Sequence, residues 1–152
     1  MSDRQEHERR ELERAVERYV ALFESLSRGR VGELADLCAH DVRFRDPFND
    51  VRGVELFQAA MAKMFDDVEQ PRFTIHDWAI SGRTAYLRWT FDFRMPRAAE
   101  RWSIEGMSEV RYDEHARVMA HLDHWDASRQ LYERLPVYDR YLPAILRRDD
   151  FE

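Results

Sequence analysis

The stretch TAYLRWTFDFR, residues 84–94, alternates without a break. Ala85, Leu87, Trp89, Phe91 and Phe93 fall on one parity, and Tyr86, Arg88, Thr90, Asp92 and Arg94 on the other. Successive side chains of a strand point to opposite faces, so the segment reads as a long strand with one apolar and one wet face. A strand solvated on one side belongs in an antiparallel sheet. Upstream, Gly82 marks a turn and Phe73 to Ile80 reads as the preceding strand. Downstream, Pro96 to Glu100 is a loop, and Trp102 to Tyr112 alternates again. Trp102, Ile104, Gly106, Ser108, Val110 and Tyr112 share one side of it, and Arg101, Ser103, Glu105, Met107, Glu109 and Arg111 the other. Asp113 to Ala116 is a hairpin turn, and Arg117 to Trp125 the last strand.

Before this meander the period is helical. Ser2 and Gln5 have the spacing of a capping box. Leu12, Ala15, Val16, Tyr19, Leu22, Phe23 and Leu26 then recur three and four apart. After Gly29, a short second helix is predicted over about Val31 to Cys38. Val42 to Asp46 alternates as a strand, with Val42, Phe44 and Asp46 on one face. Asn49, Asp50 and Gly53 mark turns, and Val54 to Phe65 is a third amphipathic helix carrying Phe57 and Met61 on its stripe. Helices first and a meander after make an α+β domain. The predicted domain spans 1–126, and an amphipathic tail broken by Pro136 and Pro143 packs on it over 127–152.

At 152 residues, 44% hydrophobic and 12% aromatic, the chain has the composition of one folded domain with a real core. A net charge of −6 and the lack of a long basic run argue against nucleic acid as the main partner. A single cysteine, Cys38, excludes an internal disulfide. The charged N-terminus does not read as a signal peptide, and no apolar run reaches membrane-span length, which points to a cytoplasmic protein with little membrane contact.

The segments ERYVALFESL, LADLCAHDVRFRDPF, VRGVELFQAAM, IEGMSEVRYDEHARV and HLDHWD, in that order, resemble the nuclear-transport-factor-two-like superfamily. It includes ketosteroid isomerases, SnoaL-like polyketide cyclases and limonene epoxide hydrolases. The resemblance covers roughly Val16 to Asp126 and implies a strongly curved antiparallel sheet, three helices packed in it, and a cone with an apolar pocket. It implies three roles by position. Asp46, before Pro47, matches the isomerases' proton-abstracting Asp; Tyr19 matches their first-helix oxyanion donor; and Ser108 stands where they carry a neutral Asp. That last position is a departure, since a hydroxyl is the weaker donor. Asp123 matches the last-strand Asp of the epoxide hydrolases, but their second Asp falls on Asp92, which alternation turns away from the pocket together with Arg88.

The residues themselves leave two questions open. Asp46 is either a carboxylate held among Phe44, Pro47 and Phe48 for chemistry, or the shaper of a turn. His121, Asp123 and Trp125 share one face of the last strand, and Val118, Ala120 and Leu122 the other. Polarity turns the second set inward, whereas the resemblance turns the first set into the pocket. His121 and Asp123 are spaced to hydrogen-bond as an acid/base pair. Phe44, Phe57, Met61, Trp89, Phe91, Phe93, Ser108 and Trp125 are the expected ligand-binding residues. No cofactor or metal is implied: there is no Gly-rich phosphate loop, and alternation separates His124 from His121 and Asp123. Ser108 lacks the surroundings of a nucleophile. The expected activity is that of a pocket protein for an apolar, oxygen-bearing small molecule of terpenoid, sterol or polyketide type. Asp46 would act as general base in a cofactor-independent isomerase, cyclase or hydrolase. The alternative is a non-catalytic binding or dimerisation module. A homodimer would use the outer sheet face, with Tyr86, Arg88, Thr90, Asp92, Arg101, Glu105, Glu109 and Arg111.

Overall fold

In the computed structural model, which describes residues 2–96 and 100–131, the first helix begins where Ser2 and Gln5 cap it. The Gln5 amide donates to Ser2 Oγ at 3.3 Å, and the Ser2 amide to Gln5 Oε1 at 2.9 Å. Helix α1 (Asp3–Glu24) buries Leu12, Ala15, Val16, Tyr19, Leu22 and Phe23, the stripe its spacing predicts. The second helix is less regular than expected: a 3₁₀ segment over Arg28–Glu33 leads into a single turn, α2 (Leu34–Leu37). By Cys38 the backbone is already extended, so β1 (Cys38–Arg45) begins earlier than alternation suggests.

The turn expected after it encloses a short strand. β2 (Asp50–Arg52) pairs back antiparallel on β1, with Phe44 opposite Val51. Gly53, at φ 111°, adopts a backbone that a side chain would strain, and this swings the chain into α3 (Val54–Asp67). Strands β3 (Glu69–Ser81), β4 (Thr84–Arg94), β5 (Arg101–Tyr112) and β6 (Val118–His124) follow as an antiparallel meander. The predicted inner face of β4 is buried throughout: Ala85, Leu87, Trp89, Phe91 and Phe93 are each at most 9% exposed. On β5, Ile104, Ser108, Val110 and Tyr112 are buried, with Trp102 and Gly106 partly so.

The six strands run β2-β1-β6-β5-β4-β3 in an open, curved sheet. Register shifts within the β3–β4, β1–β6 and β5–β6 pairs supply local bends. One neighbour pair differs from the all-antiparallel expectation: β1 runs parallel to β6, with Phe44 beside His121 and Arg45 beside Leu122. α1 crosses β3, and α3 lies on β1, where Phe44 and Phe57 stack at 4.5 Å and 10°. Both parities of β6 are covered: Val118, Ala120, His121 and Leu122 are all buried. On the outer side the register sets Ala120 and Leu122 beside Arg43, Arg45, Glu109 and Arg111, whose stems are long enough to cover them. Tyr86 and Met107 stand exposed on that face. Of the tail, residues 127–131 are described and carry one turn, α4 (Ala127–Gln130); the expected helical pieces beyond lie outside the described residues. No helix among the described residues is long and apolar enough to cross a membrane.

Candidate functional site

The inner face of β4 meets α3 across a cavity of about 420 Å³. Phe73, Trp89, Phe91, Phe93, Ile104 and Trp125 supply sheet-side walls, and Met61 and Met64 the helix side. The aromatic wall is continuous: Phe73 stacks on Phe91 at 4.4 Å, and Phe91 on Phe93 at 5.0 Å. Two expected site carboxylates, Asp46 and Asp123, reach this apolar cavity. Lys63 and Asp67 also line it, paired with each other at 2.6 Å.

Behind Asp123 runs a chain of buried hydrogen bonds. Trp89 Nε1 donates to Ser108 Oγ at 2.8 Å, and Ser108 Oγ donates to Asp123 Oδ1 at 2.5 Å. On the other side, His121 Nε2 meets the same Oδ1 at 2.7 Å, and His121 Nδ1 meets the Tyr19 hydroxyl at 2.6 Å. The ends dictate the directions. An indole N–H can only donate and a carboxylate can only accept. With Asp123 ionised and His121 neutral, hydrogen on His121 Nε2 points at Asp123, and Nδ1 accepts from Tyr19. Burial pushes the Tyr19 hydroxyl well above the usual tyrosine range, and the neighbouring Cys38, Tyr112 and Asp123 push it the same way, so it stays a donor. Every hydrogen in the chain converges on one oxygen of Asp123. Its Oδ2 takes no hydrogen bond from the described residues.

The chain depends on a glycine. Gly106 pairs with Trp89 across β4 and β5, and a Cβ there would lie 2.5 Å from the indole ring. The bare backbone lets the ring lie across the strand so that its N–H reaches Ser108. The signal was available in the sequence, as a glycine on the apolar parity in mid-strand. Phe73 and Met64 line the cavity too but carry no polar mark to single them out.

Asp46 shapes a turn and also reaches the cavity. Its Oδ1 accepts from the amides of Phe48 and Asn49, at 2.8 and 2.7 Å, and from Asn49 Nδ2 at 3.0 Å, so it shapes the β1–β2 turn. It is also half-buried on the cavity wall. Of the other expected residues, Met61, Trp89, Phe91, Phe93 and Trp125 line the cavity, whereas Phe44, Phe57, Ser108, His121 and Tyr19 do not. Tyr19 is 1% exposed and bound to His121, so His121 stands between its hydroxyl and Asp123, and Tyr19 is not among the residues that line this cavity as an oxyanion donor would. Asp92 and Arg88 occupy the outer parity, where Arg88 forks onto Asp77, so the Asp–Asp–Arg set of the epoxide hydrolases does not assemble around Asp123. Among the described residues, no three His, Cys, Asp or Glu side chains come together to hold a metal ion.

No curated protein sequence matches the chain. Its fold is shared with solved structures. TsrD from Streptomyces laurentii superposes with a TM-score of 0.66 at 21% identity, over 84% of this chain and 96% of that one. An LEH-like epoxide hydrolase from M. tuberculosis gives 0.63 at 16%, over 79% and 86%. A steroid delta-isomerase from Pseudomonas aeruginosa gives 0.56 at 18%, over 74% and 77%. Identities this low establish the nuclear-transport-factor-two-like fold and no more. The sequence goes further: residues 16–121, from the buried stripe of α1 to the histidine behind Asp123, match the SnoaL-like domain model, and the chain belongs to that family.

Proposed function

We propose that the chain binds an apolar, oxygen-bearing small molecule of terpenoid, sterol or polyketide type. On it the protein would perform cofactor-independent proton transfer or water addition, as an isomerase, cyclase or hydrolase. The observation that carries this reading is the buried hydrogen-bond chain ending on Asp123 at the wall of an aromatic cavity. Such a network is costly to bury unless every member is satisfied, and here it fixes one carboxylate where a ligand would sit. In this reading Asp123 is the general acid/base, and His121 and Ser108 hold its orientation. Asp46 has one oxygen committed to three N–H donors of its own turn, which leaves the other to meet a ligand. Its part is to accept from a ligand hydroxyl or water on the opposite wall. Superpositions on an epoxide hydrolase and a steroid isomerase agree with this chemistry but do not choose between its branches.

The test is deuterium exchange. Ligands are extracted from the purified protein and identified by mass spectrometry, then returned to it in D2O beside a panel of terpenoid, steroid and polyketide ketones and epoxides. Deuterium or solvent oxygen should enter the ligand with wild type, and Asp123→Asn should bind the same ligand without incorporation. Binding without incorporation in wild type would leave a carrier, and full incorporation by Asp123→Asn would remove Asp123 from the chemistry.

A further inference from the structure

A second, smaller cavity of about 180 Å³ opens at the other end of β6. Val118 borders it, whereas Asp123 borders the first, five residues or roughly 16 Å along the strand. Its walls come from α1 (Arg18, Tyr19), α2 (Asp36) and the β5–β6 hairpin (Tyr112, His115, Arg117). Two observations set it apart from ordinary surface relief. Tyr112 is 3% exposed, and its hydroxyl is the one buried side-chain polar atom among the described residues with no hydrogen-bond partner. Buried hydroxyls are nearly always partnered, so one left over on a cavity wall points at something that enters. Arg18 and Arg117 line the same cavity without an ion pair among the described residues, and Arg117 Nη1 makes only a long, 3.5 Å contact to the Cys38 carbonyl. Burial, opposed by Arg18, pushes the Tyr112 hydroxyl above the usual range, which keeps it a donor.

We propose that this cavity is a binding site for a small oxyanion, a phosphate or short carboxylate, held by Arg18 and Arg117 and by a hydrogen bond from the Tyr112 hydroxyl. The donor set is complementary to such a ligand. Two guanidiniums offer forked N–H groups, the phenol adds an O–H, and His115 adds a ring N–H. Asp36, and Glu114 at 3.5 Å from His115 Nε2, are the opposing charges and limit affinity. The cavity is distinct from the proposed catalytic one but touches its hydrogen-bond chain through Tyr19, whose ring borders the small cavity and whose hydroxyl binds His121.

Calorimetry on the full chain decides the matter, with sodium phosphate and sodium acetate titrated separately at ionic strength held constant with chloride. At least one anion should bind saturably at one site per chain, and the stronger of the two names the ligand class. Arg117→Gln and Tyr112→Phe should each weaken it about ten-fold or more. Asp36→Asn should tighten it, and Arg88→Gln, on the outer sheet face, should leave it unchanged. Without anion, Tyr112→Phe should melt no lower than wild type, because its hydroxyl has no partner to lose. Arg117→Gln and Asp36→Asn alter exposed side chains and carry the test should Tyr112→Phe fail to fold. No saturable binding of either anion, or equal affinity in wild type, Arg117→Gln and Asp36→Asn, would overturn the proposal and leave Tyr112 hydrogen-bonded to water.

Discussion

Replacing Gly106 by alanine should damage the site through a ring that never touches Asp123. The new methyl would lie 2.5 Å from Cζ2 and Cη2 of Trp89 and 3.0 Å from Trp125 Cβ. Ordinary contact begins at 3.4 Å, so the indole must retreat by at least 0.9 Å (3.4 − 2.5). Trp89 Nε1 lies 2.8 Å from Ser108 Oγ, and a retreat of that size along the bond gives 3.7 Å, which breaks it. A buried donor left unsatisfied costs ~1–3 kcal/mol. Crowding a packed face adds ~1–3 kcal/mol, and the stiffer backbone of alanine returns ~0.5–1 kcal/mol. The net loss is about 1–5 kcal/mol, read from urea unfolding at neutral pH. Ser108→Ala removes the same bond from its other end. The two losses should therefore fail to add, with the double variant short of their sum by about 1–2 kcal/mol. Additivity within ~0.5 kcal/mol, or a cost for Gly106→Ala below ~1 kcal/mol, would refute the dependence of the chain on that glycine.

Tyr19→Phe should cost about 1–3 kcal/mol, because His121 Nδ1 loses its donor in a dry interior; ¹⁵N spectra of the wild type should show hydrogen on Nε2, and hydrogen on Nδ1 alone would contradict the chain's direction. Asp46→Asn keeps an oxygen for the turn amides and should cost about 0.5 kcal/mol or less, whereas Asp46→Ala should cost about 1–2 kcal/mol; equal losses in urea melts would mean the turn does not depend on that oxygen. Burial pushes the Cys38 thiol from 9.0 to about 12, and it raises Tyr19 and Tyr112 as well. The native state holds these protons more firmly than the unfolded chain, so stability is intact below pH 9 and falls as pH rises toward 12. Cys38 alone accounts for about 4 kcal/mol over those three units; urea midpoints should drop across this window and drop less in Cys38→Ala, and a flat profile would sink the assignment.

Much of the fold was legible because its signals are local. The stripe of α1, the caps at Ser2 and Gln5, and the parity of β4 and β5 are each written within a dozen residues. What escaped depends on partners far along the chain. Asp50–Arg52 carries no strand pattern of its own; it is a strand because β1 offers it an edge. The β1–β6 pair joins segments some eighty residues apart, and nothing in either says that the pairing is parallel.

That pairing also decides the site. Parity left the last strand with two candidate inner faces, and the structure divides the more apolar set: a register shift between Val118 and Ala120 keeps Val118 inward beside Cys38 and Tyr112, while Ala120 and Leu122 are buried beside long side chains on the outer surface. Polarity misleads there because an arginine stem covers apolar surface as a leucine does. The parallel register resolves it. Phe44 stands beside His121 and Arg45 beside Leu122, so Asp46, the next residue, leaves β1 at the level of Asp123. Two carboxylates that lie 77 positions apart in the chain (123 − 46) thereby reach one cavity, each with one oxygen already hydrogen-bonded. Had β1 joined the sheet antiparallel, the Asp46 turn would lie at the opposite end of β6, near Arg117 and the small polar cavity. The chemistry available to the large cavity thus follows from the direction of one strand, which no motif in either segment encodes.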